Sequence, residues 1–294
     1  TPVTTLVGLR TPDGSNNEEH AWTIVIKSGD TCSAAQLNTI NDATSVAVDL
    51  TNVTALAASS LADLGTLATA IGNNEFSNDS GLTTIAVSDT TIDATTLATR
   101  IDSYDSINGD ATTNMTLPSG ATINVDADEV DHMLADESAG RLTIGDQAIT
   151  VTNAITVDQA NLLTATTSGV VTATIATTET VTELATLVEH GSNNVDAALT
   201  IVIRAADETA CTAAQLNTIN DATSVVVNLT NVIALAASNL ADLATLHTNR
   251  AGFSNTSNIA TINLTNDGGG SNGHVDFDTL HSVIDDYKTD IKNN

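Results

Sequence analysis

Short apolar runs rich in β-branched residues alternate along the chain with capped helix starts. Eight runs are typical of strands, because Val, Ile and Thr favour a pleated, half-buried surface; they cover residues 23–26, 45–50, 83–87, 121–125, 170–175, 200–203, 224–229 and 259–264. Nine segments place Ser, Thr, Asp or Asn four positions before a large aliphatic residue, as an N-cap precedes a core-facing helical position. The pairs are Ser33/Leu37, Ser60/Leu64, Asp93/Leu97, Asp126/Val130, Asp158/Leu162, Thr180/Leu184, Thr212/Leu216, Asn239/Leu243 and Asp276/Leu280. This alternation predicts parallel strands joined by helical crossovers.

A long internal repeat organises these elements. Residues 32–69 return at 211–248 with seven differences in 38 positions, at an offset of 179. A single strand–helix unit cannot bury its apolar face, but stacked units can. We therefore predict an α/β repeat solenoid of about nine strand–helix coils, with a parallel sheet on one side and short capped helices on the other.

The predicted organisation is one continuous solenoid: a degenerate N-terminal coil at 1–13, a first long repeat unit at 14–190 and a second, truncated unit at 191–294. Both ends then fall part-way through a repeat, and we expect them to expose coil faces that favour end-to-end association. A pair of similar globular α/β domains is the alternative fold.

Composition narrows the classes of function. The 294 residues carry 36 acidic and 8 basic side chains, a formal net charge of −28. Such a surface repels phosphate backbones, so we expect no nucleic-acid binding. The chain is 41% hydrophobic but only 2% aromatic, which predicts a core of small aliphatic residues. No apolar run approaches 18 residues, so no membrane span is expected.

Acidic clusters at predicted turns are the candidate metal ligands. Carboxylate and amide oxygens are the ligands that calcium prefers, and turns of extracellular repeat proteins are a usual place for them. The candidates are Asp13, Glu18, Asp126, Asp128, Asp267 and Asp278. A solvated acidic face is the alternative interpretation, and no complete calcium-binding motif is present.

The two cysteines occupy equivalent positions in the repeat. Cys32 and Cys211 each precede a predicted helix cap, where a small apolar side chain packs onto the helix. Six coils of separation place them too far apart to pair with each other. They are therefore predicted as small buried residues, with an intermolecular disulfide between neighbouring chains as the alternative.

Two common catalytic motifs are absent from the sequence. Neither HExxH nor a P-loop occurs, and we expect no enzyme activity. Six Asn-x-Ser/Thr sequons are potential glycosylation sites in a suitable host; they begin at Asn52, Asn78, Asn114, Asn228, Asn255 and Asn263.

Two stretches of sequence resemble a known family: AAQLNTINDATSVAVDLTNVTAL and VDQANLLTATTSGVVTATI. They resemble the repeat units of the giant repetitive cell-surface and secreted proteins of marine cyanobacteria and related bacteria, of the Thr/Ala-rich adhesin or surface-layer type. The resemblance implies an extracellular or cell-surface location and a structural or adhesive role, often with calcium.

Two functions follow as hypotheses. The first is an extracellular structural protein whose repeat segment self-associates into a filament, surface layer or adhesive fibre. The second is a non-enzymatic adhesin or phage-fibre-like module that binds a glycan or cell surface. A binder is expected to cluster exposed aromatic residues, whereas Trp22, Tyr104 and Tyr287 lie in different predicted coils. This distribution favours the structural role.

Overall fold

The computed structural model describes residues 3–8, 21–109, 112–188, 197–265, 281 and 284–285. Two compact units are present, Thr1–Ala148 and Ile149–Asn294. Each is a mixed α/β arrangement with parallel sheets, as the sequence predicts, and none of the described sheets closes into a barrel.

The first unit contains five α-helices and eight strands among its described residues. The helices are α1 (Val3–Leu6), α2 (Ala34–Asn41), α3 (Leu61–Gly72), α4 (Ala94–Asn108) and α5 (Val130–Ser138), the last preceded by a 3₁₀ turn at Ala127–Glu129. The strands are β1 (Val48–Asp49), β2 (Ala55–Ser59), β3 (Phe76–Ser77), β4 (Thr84–Val87), β5 (Thr91–Asp93), β6 (Asn114–Thr116), β7 (Thr122–Asp126) and β8 (Leu142–Thr143).

Every strand pair in this unit is parallel. The order β2-β4-β6-β8 forms one sheet, while β1 pairs with β3 and β5 pairs with β7. Paired residues are about 27–31 positions apart in sequence, so each strand adds beside the strand of the preceding strand–helix segment. Parallel pairs require such a crossover, and here a helix supplies it.

The second unit repeats this pattern. Its helices are α6 (Val157–Thr166), α7 (Val181–Leu184), α8 (Ala213–Asp221) and α9 (Leu240–Thr248), with 3₁₀ turns at Ala205–Asp207, Arg250–Gly252 and Thr256–Asn258. Its strands are β9 (Ala148–Ile155), β10 (Val171–Ile175), β11 (Ala198–Thr200), β12 (Val227–Asn228), β13 (Ala234–Ser238), β14 (Phe253–Ser254) and β15 (Thr261–Leu264). Strand β10 pairs with both β9 and β11, β12 pairs with β14, and β13 pairs with β15, all in parallel.

The two sequence copies have the same local structure. The pairing Val48↔Phe76 in the first unit corresponds to Val227↔Phe253 in the second. The strand register also shifts between Leu56 and Ser59 in the pairing of β2 with β4. The same shift recurs at the equivalent position in the pairing of β13 with β15. The repeated sequence therefore specifies the strand register as well as the elements.

Most predicted helix caps are confirmed. A side-chain oxygen at the N-cap accepts a hydrogen bond from the backbone N–H three residues on, as the first turn of a helix requires; this holds at Ser33, Ser60, Asp93, Thr180, Thr212 and Asn239. Three of these form full capping boxes, with Gln36, Glu183 and Gln215. Asp126 caps the 3₁₀ turn that leads into α5. Asp276 lies outside the described residues.

One predicted cap is wrong. Helix α6 is capped by Thr156, not Asp158, and Thr156 forms a capping box with Gln159. The cap therefore lies two residues earlier than predicted, which rotates the helix relative to the expected face. Leu163 is fully buried as a result, and Leu162, predicted to face the core, is 54% exposed.

Aliphatic ladders make up the core. In the first unit, Leu56, Ile85, Met115 and Leu142 are paired neighbours on four successive strands, and all are buried. The helices pack Leu37, Leu64 and Leu97 against the interior with 1% exposure or less. Small aliphatic residues at regular spacing thus replace the large aromatic anchors that this composition lacks.

Candidate functional site

Two of the six predicted calcium ligands lie in the described residues. Asp126 accepts a hydrogen bond from the backbone N–H of Asp128 at 3.2 Å, so its carboxylate serves the helix start. Asp13, Glu18, Asp267 and Asp278 lie outside the described residues. Across the ranges that the structure describes, no three His, Cys, Asp or Glu side chains group in a way that could hold a metal ion. Calcium binding therefore stays a prediction.

Both cysteines are free thiols with no exposed surface. Burial raises the pKa of Cys32 to about 11 and that of Cys211 to about 12, with a smaller contribution from Asp30 and Asp207 respectively. The thiol is the unreactive form, and Cys211 Sγ lies 3.4 Å from the backbone oxygen of Asp207. An intermolecular disulfide at either position would require local opening of the fold, whereas the small buried side chain needs none.

A buried ion pair lies between α4, α5 and β8. Arg141 Nη2 lies 2.5 Å from Asp136 Oδ1, and Arg141 Nη1 donates to Asp105 Oδ2 at 3.1 Å. The Asp136 side chain is 1% exposed. Its burial raises the pKa of the carboxyl, while Arg141 and His132 lower it and Asp102 and Asp105 raise it. The site has one arginine for three carboxylates, so the positive charge of Arg141 offsets the repulsion among them.

At five helices, a side chain of the next strand–helix segment accepts a hydrogen bond from the first turn. The first backbone N–H of five helices donates to a side-chain oxygen 25–28 residues further along the chain, at 2.7–3.0 Å. The pairs are Val3 with Asp30, Ala34 with Ser59, Leu61 with Asp89, Val181 with Asp207 and Ala213 with Ser238. Because these N–H groups have no partner within their own helix, each segment is stabilised by its successor.

Asparagine side chains form a second set of bonds between segments. Asn52 donates to the carbonyl oxygen of Ile26, and its repeat equivalent Asn231 donates to that of Ile203. Asn38 and Asn217 likewise donate to the backbone of the following helix. All six sequon asparagines take part in hydrogen bonds across segments. The recurrence of Asn38 and Asn52 as Asn217 and Asn231, at the 179-residue offset, was the available signal, but the sequence alone gave no partner for them.

Threonines line the outer side of β9, β10 and β11. In β10, Thr172 and Thr174 are exposed while Val171, Ala173 and Ile175 are buried. Thr172 lies beside Thr150, and Thr174 beside Thr200. The other neighbours on this side are Ala198 and Ala154, so the threonine pattern is interrupted. Of the aromatic residues considered above, Tyr104 is fully buried, Trp22 is partly exposed and Tyr287 lies outside the described residues.

Comparison with protein-family models, with curated proteins and with solved structures found no match. Among the helices that the structure describes, none combines the length and apolar character needed to cross a bilayer.

Proposed function

We propose that this chain is a repeat segment of an extracellular structural protein that self-associates into a filament, surface layer or adhesive fibre. Within the chain, we propose that the strand–helix segments stack as one solenoid of about nine coils. The observation that carries the proposal is the bonding of each segment to its successor, by parallel strand pairs, shared helix caps and asparagine amides. Such contacts involve only nearest neighbours, as in repeat proteins whose extended surfaces serve assembly.

Charge sets a condition on this assembly. A chain with 36 acidic and 8 basic residues repels its own copies at low ionic strength. Cations that screen or neutralise the carboxylates are therefore expected to promote association. Calcium is the proposed cation, on the strength of the acidic turns and the resemblance described above.

Electron microscopy with matched solution conditions tests the proposal. Purified full-length chain is imaged by negative stain in calcium chloride, in magnesium chloride of equal ionic strength, and with a calcium chelator. Regular fibres or sheets support a structural role, and their presence in calcium chloride but not in magnesium chloride or with the chelator identifies calcium as the cation. Isolated particles under all conditions, together with a monomer in sedimentation experiments, would overturn self-association.

A glycan-binding adhesin is the second candidate, favoured by the outer threonines of β9–β11. Hydroxyl groups on a flat sheet can hydrogen-bond to sugar hydroxyls without large aromatic platforms. Binding to insoluble polysaccharides is compared between the natural chain and a Thr172→Val/Thr174→Val variant, which keeps the side-chain shape and removes two hydroxyls. Equal retention of the two chains would exclude this face as a glycan site.

A further inference from the structure

The six sequons differ in what the asparagine side chain does in the folded chain. In five of them the amide nitrogen Nδ2 donates a hydrogen bond to an acceptor on another strand–helix segment, at 2.8–3.1 Å. These five are Asn52, Asn78, Asn114, Asn255 and Asn263. Because N-glycosylation forms its bond at this nitrogen, each of these side chains must give up a contact between segments before it can react.

Asn228 is the exception among the six. Its side-chain oxygen Oδ1 accepts from the backbone N–H of Thr230 at 2.9 Å and from Asn255 Nδ2 at 2.8 Å, and both bonds lie at the exposed surface. Its Nδ2 donates to no protein group in the part of the chain that the structure describes. The nitrogen that would react is therefore the polar side-chain atom of Asn228 that no contact between segments uses.

The local conformation presents this sequon at a turn. Strand β12 ends at Asn228, and the backbone N–H of Val232 then donates to the carbonyl oxygen of Leu229 at 2.9 Å. Thr230, the third residue of the sequon, lies in this turn and is exposed. The bond from the Thr230 N–H to the Asn228 oxygen closes an Asx turn, which holds the two sequon residues together. It also polarises the amide, and this makes the Nδ2 hydrogens more acidic.

The first copy of the repeat has the same geometry without the amide. Asp49 is the residue equivalent to Asn228, and its Oδ1 accepts from the backbone N–H of Thr51 and from Asn78 Nδ2, both at 2.9 Å. The stretch from Asp49 to Thr51 differs from a sequon only in carrying a carboxylate in place of the amide. The exchange of Asp49 for Asn228 therefore keeps both bonds and adds a nitrogen in place of the second carboxylate oxygen.

We propose that Asn228 is an acceptor site for an N-linked glycan, and that the amides of the other five sequon asparagines bond segments together instead. In the reaction, Asn228 Nδ2 attacks the anomeric carbon of a sugar that a diphosphate group activates. The new N–C bond forms as the anomeric C–O bond breaks, the diphosphate leaves with the electron pair, and one amide proton passes to the transferase. This modification goes beyond the proposed self-association and does not depend on it.

A soluble N-glycosyltransferase with a nucleotide-diphosphate hexose tests the assignment on the purified, folded chain. The same chain digested to peptides shows whether each sequon is an acceptor once the fold is removed, and peptide mass spectrometry gives the occupancy in both samples. Two variants exchange the equivalent residues of the copies. Asn228→Asp removes the sequon and keeps the oxygen that accepts from Asn255, while Asp49→Asn creates a sequon of the same geometry in the first copy. Circular dichroism checks that both variants fold.

In the folded natural chain we expect occupancy at Asn228 to exceed that at each of the other five sequons at least about tenfold, because those five must first break a hydrogen bond. In the peptides this preference should disappear. Asn228→Asp should lose the modification, and Asp49→Asn should gain one at the substituted position in the folded chain. Equal occupancy of Asn228 and the other sequons in the folded chain would overturn the assignment, and so would an unmodified Asn228 in either sample.

Discussion

Replacing Arg141 by methionine would remove the cation that faces the buried carboxylate of Asp136. The two side chains approach to 2.5 Å, and the Asp136 side chain is 1% exposed. Methionine keeps much of the apolar stem of arginine and leaves the carboxylate without its closest positive charge. We expect Arg141→Met to lower the free energy of unfolding by about 3–5 kcal/mol, the range found when one partner of a buried ion pair is removed. Urea unfolding followed by far-UV circular dichroism measures the loss.

The pH dependence of this loss identifies its origin. Burial already raises the pKa of Asp136, and Arg141 opposes that rise. Without Arg141 the pKa rises further above the unfolded value of about 3.9, so the folded state binds the proton more tightly than the unfolded state does. The deficit of Arg141→Met relative to the natural chain is therefore largest at neutral pH and shrinks as pH falls through the raised folded-state pKa.

Asp136→Asn supplies the matched control. In the double variant Asp136→Asn/Arg141→Met there is no buried charge to compensate, so its loss should be at least about 1 kcal/mol smaller than the sum of the single losses. Asp105 is 24% exposed, and Asp105→Asn is expected to cost about 1 kcal/mol or less. A cost below about 1 kcal/mol for Arg141→Met, or a loss that does not change with pH, would refute the reasoning.

Three further predictions concern the core, the thiols and the helix caps. Ile85→Ala removes a fully buried side chain from the aliphatic ladder and is expected to cost about 2–5 kcal/mol in urea unfolding, while a cost near zero would contradict the ladder. Cys32 and Cys211 should both resist a thiol reagent at neutral pH in the folded protein and react in urea; rapid labelling of the native chain would show that they are accessible. Hydrogen bonds from Thr96 lower the pKa of Asp93 in the folded state. The Asp93 carboxylate therefore stabilises the fold above its unfolded-state pKa, and this stabilisation is lost as pH falls through the folded-state pKa. The difference in unfolding free energy between the natural chain and Asp93→Asn should shrink between these two pKa values.

Local chemistry made the helix starts predictable. A side chain that caps a helix acts on backbone groups three residues away, so Ser33, Thr180 and Thr212 reveal their role in a short stretch of sequence. The same property explains the error at α6, where Thr156 and Asp158 both lie within reach of a helix start. Thr156 has the glutamine three residues on that completes a capping box, and that pair defines the cap.

The strands were only partly predictable. Runs such as 83–87 and 170–175 correspond to β4 and β10, where β-branched residues alternate with small ones. The segment ALAAS, which forms β2 and β13, has low intrinsic strand preference and was not among the predicted strands. Its strand conformation is stabilised by the neighbouring strand and by inward-facing Leu56 or Leu235, contacts that involve residues distant in sequence.

The side-chain hydrogen bonds between segments could not be predicted from sequence patterns. Ser59 reads as an ordinary strand-end residue, yet its hydroxyl accepts the first N–H of α2, 25 residues earlier. Asn52 reads as a sequon, and its amide bonds to Ile26. In each case the partner is set by the register of paired strands, which depends on residues distant in sequence and not only on those around the side chain.

The distribution of the seven differences between copies bears on how an assembly would be built. Positions that bond one segment to the next are retained, among them Asn38/Asn217, Asn52/Asn231 and Ser59/Ser238, so both copies keep the contacts that hold segments together. If every segment met a neighbouring chain through the same surface, the outer residues would be expected to match as well as these. They differ at Ala47/Val226, Asp49/Asn228 and Thr54/Ile233. The two copies therefore do not present identical outer residues to a neighbouring chain.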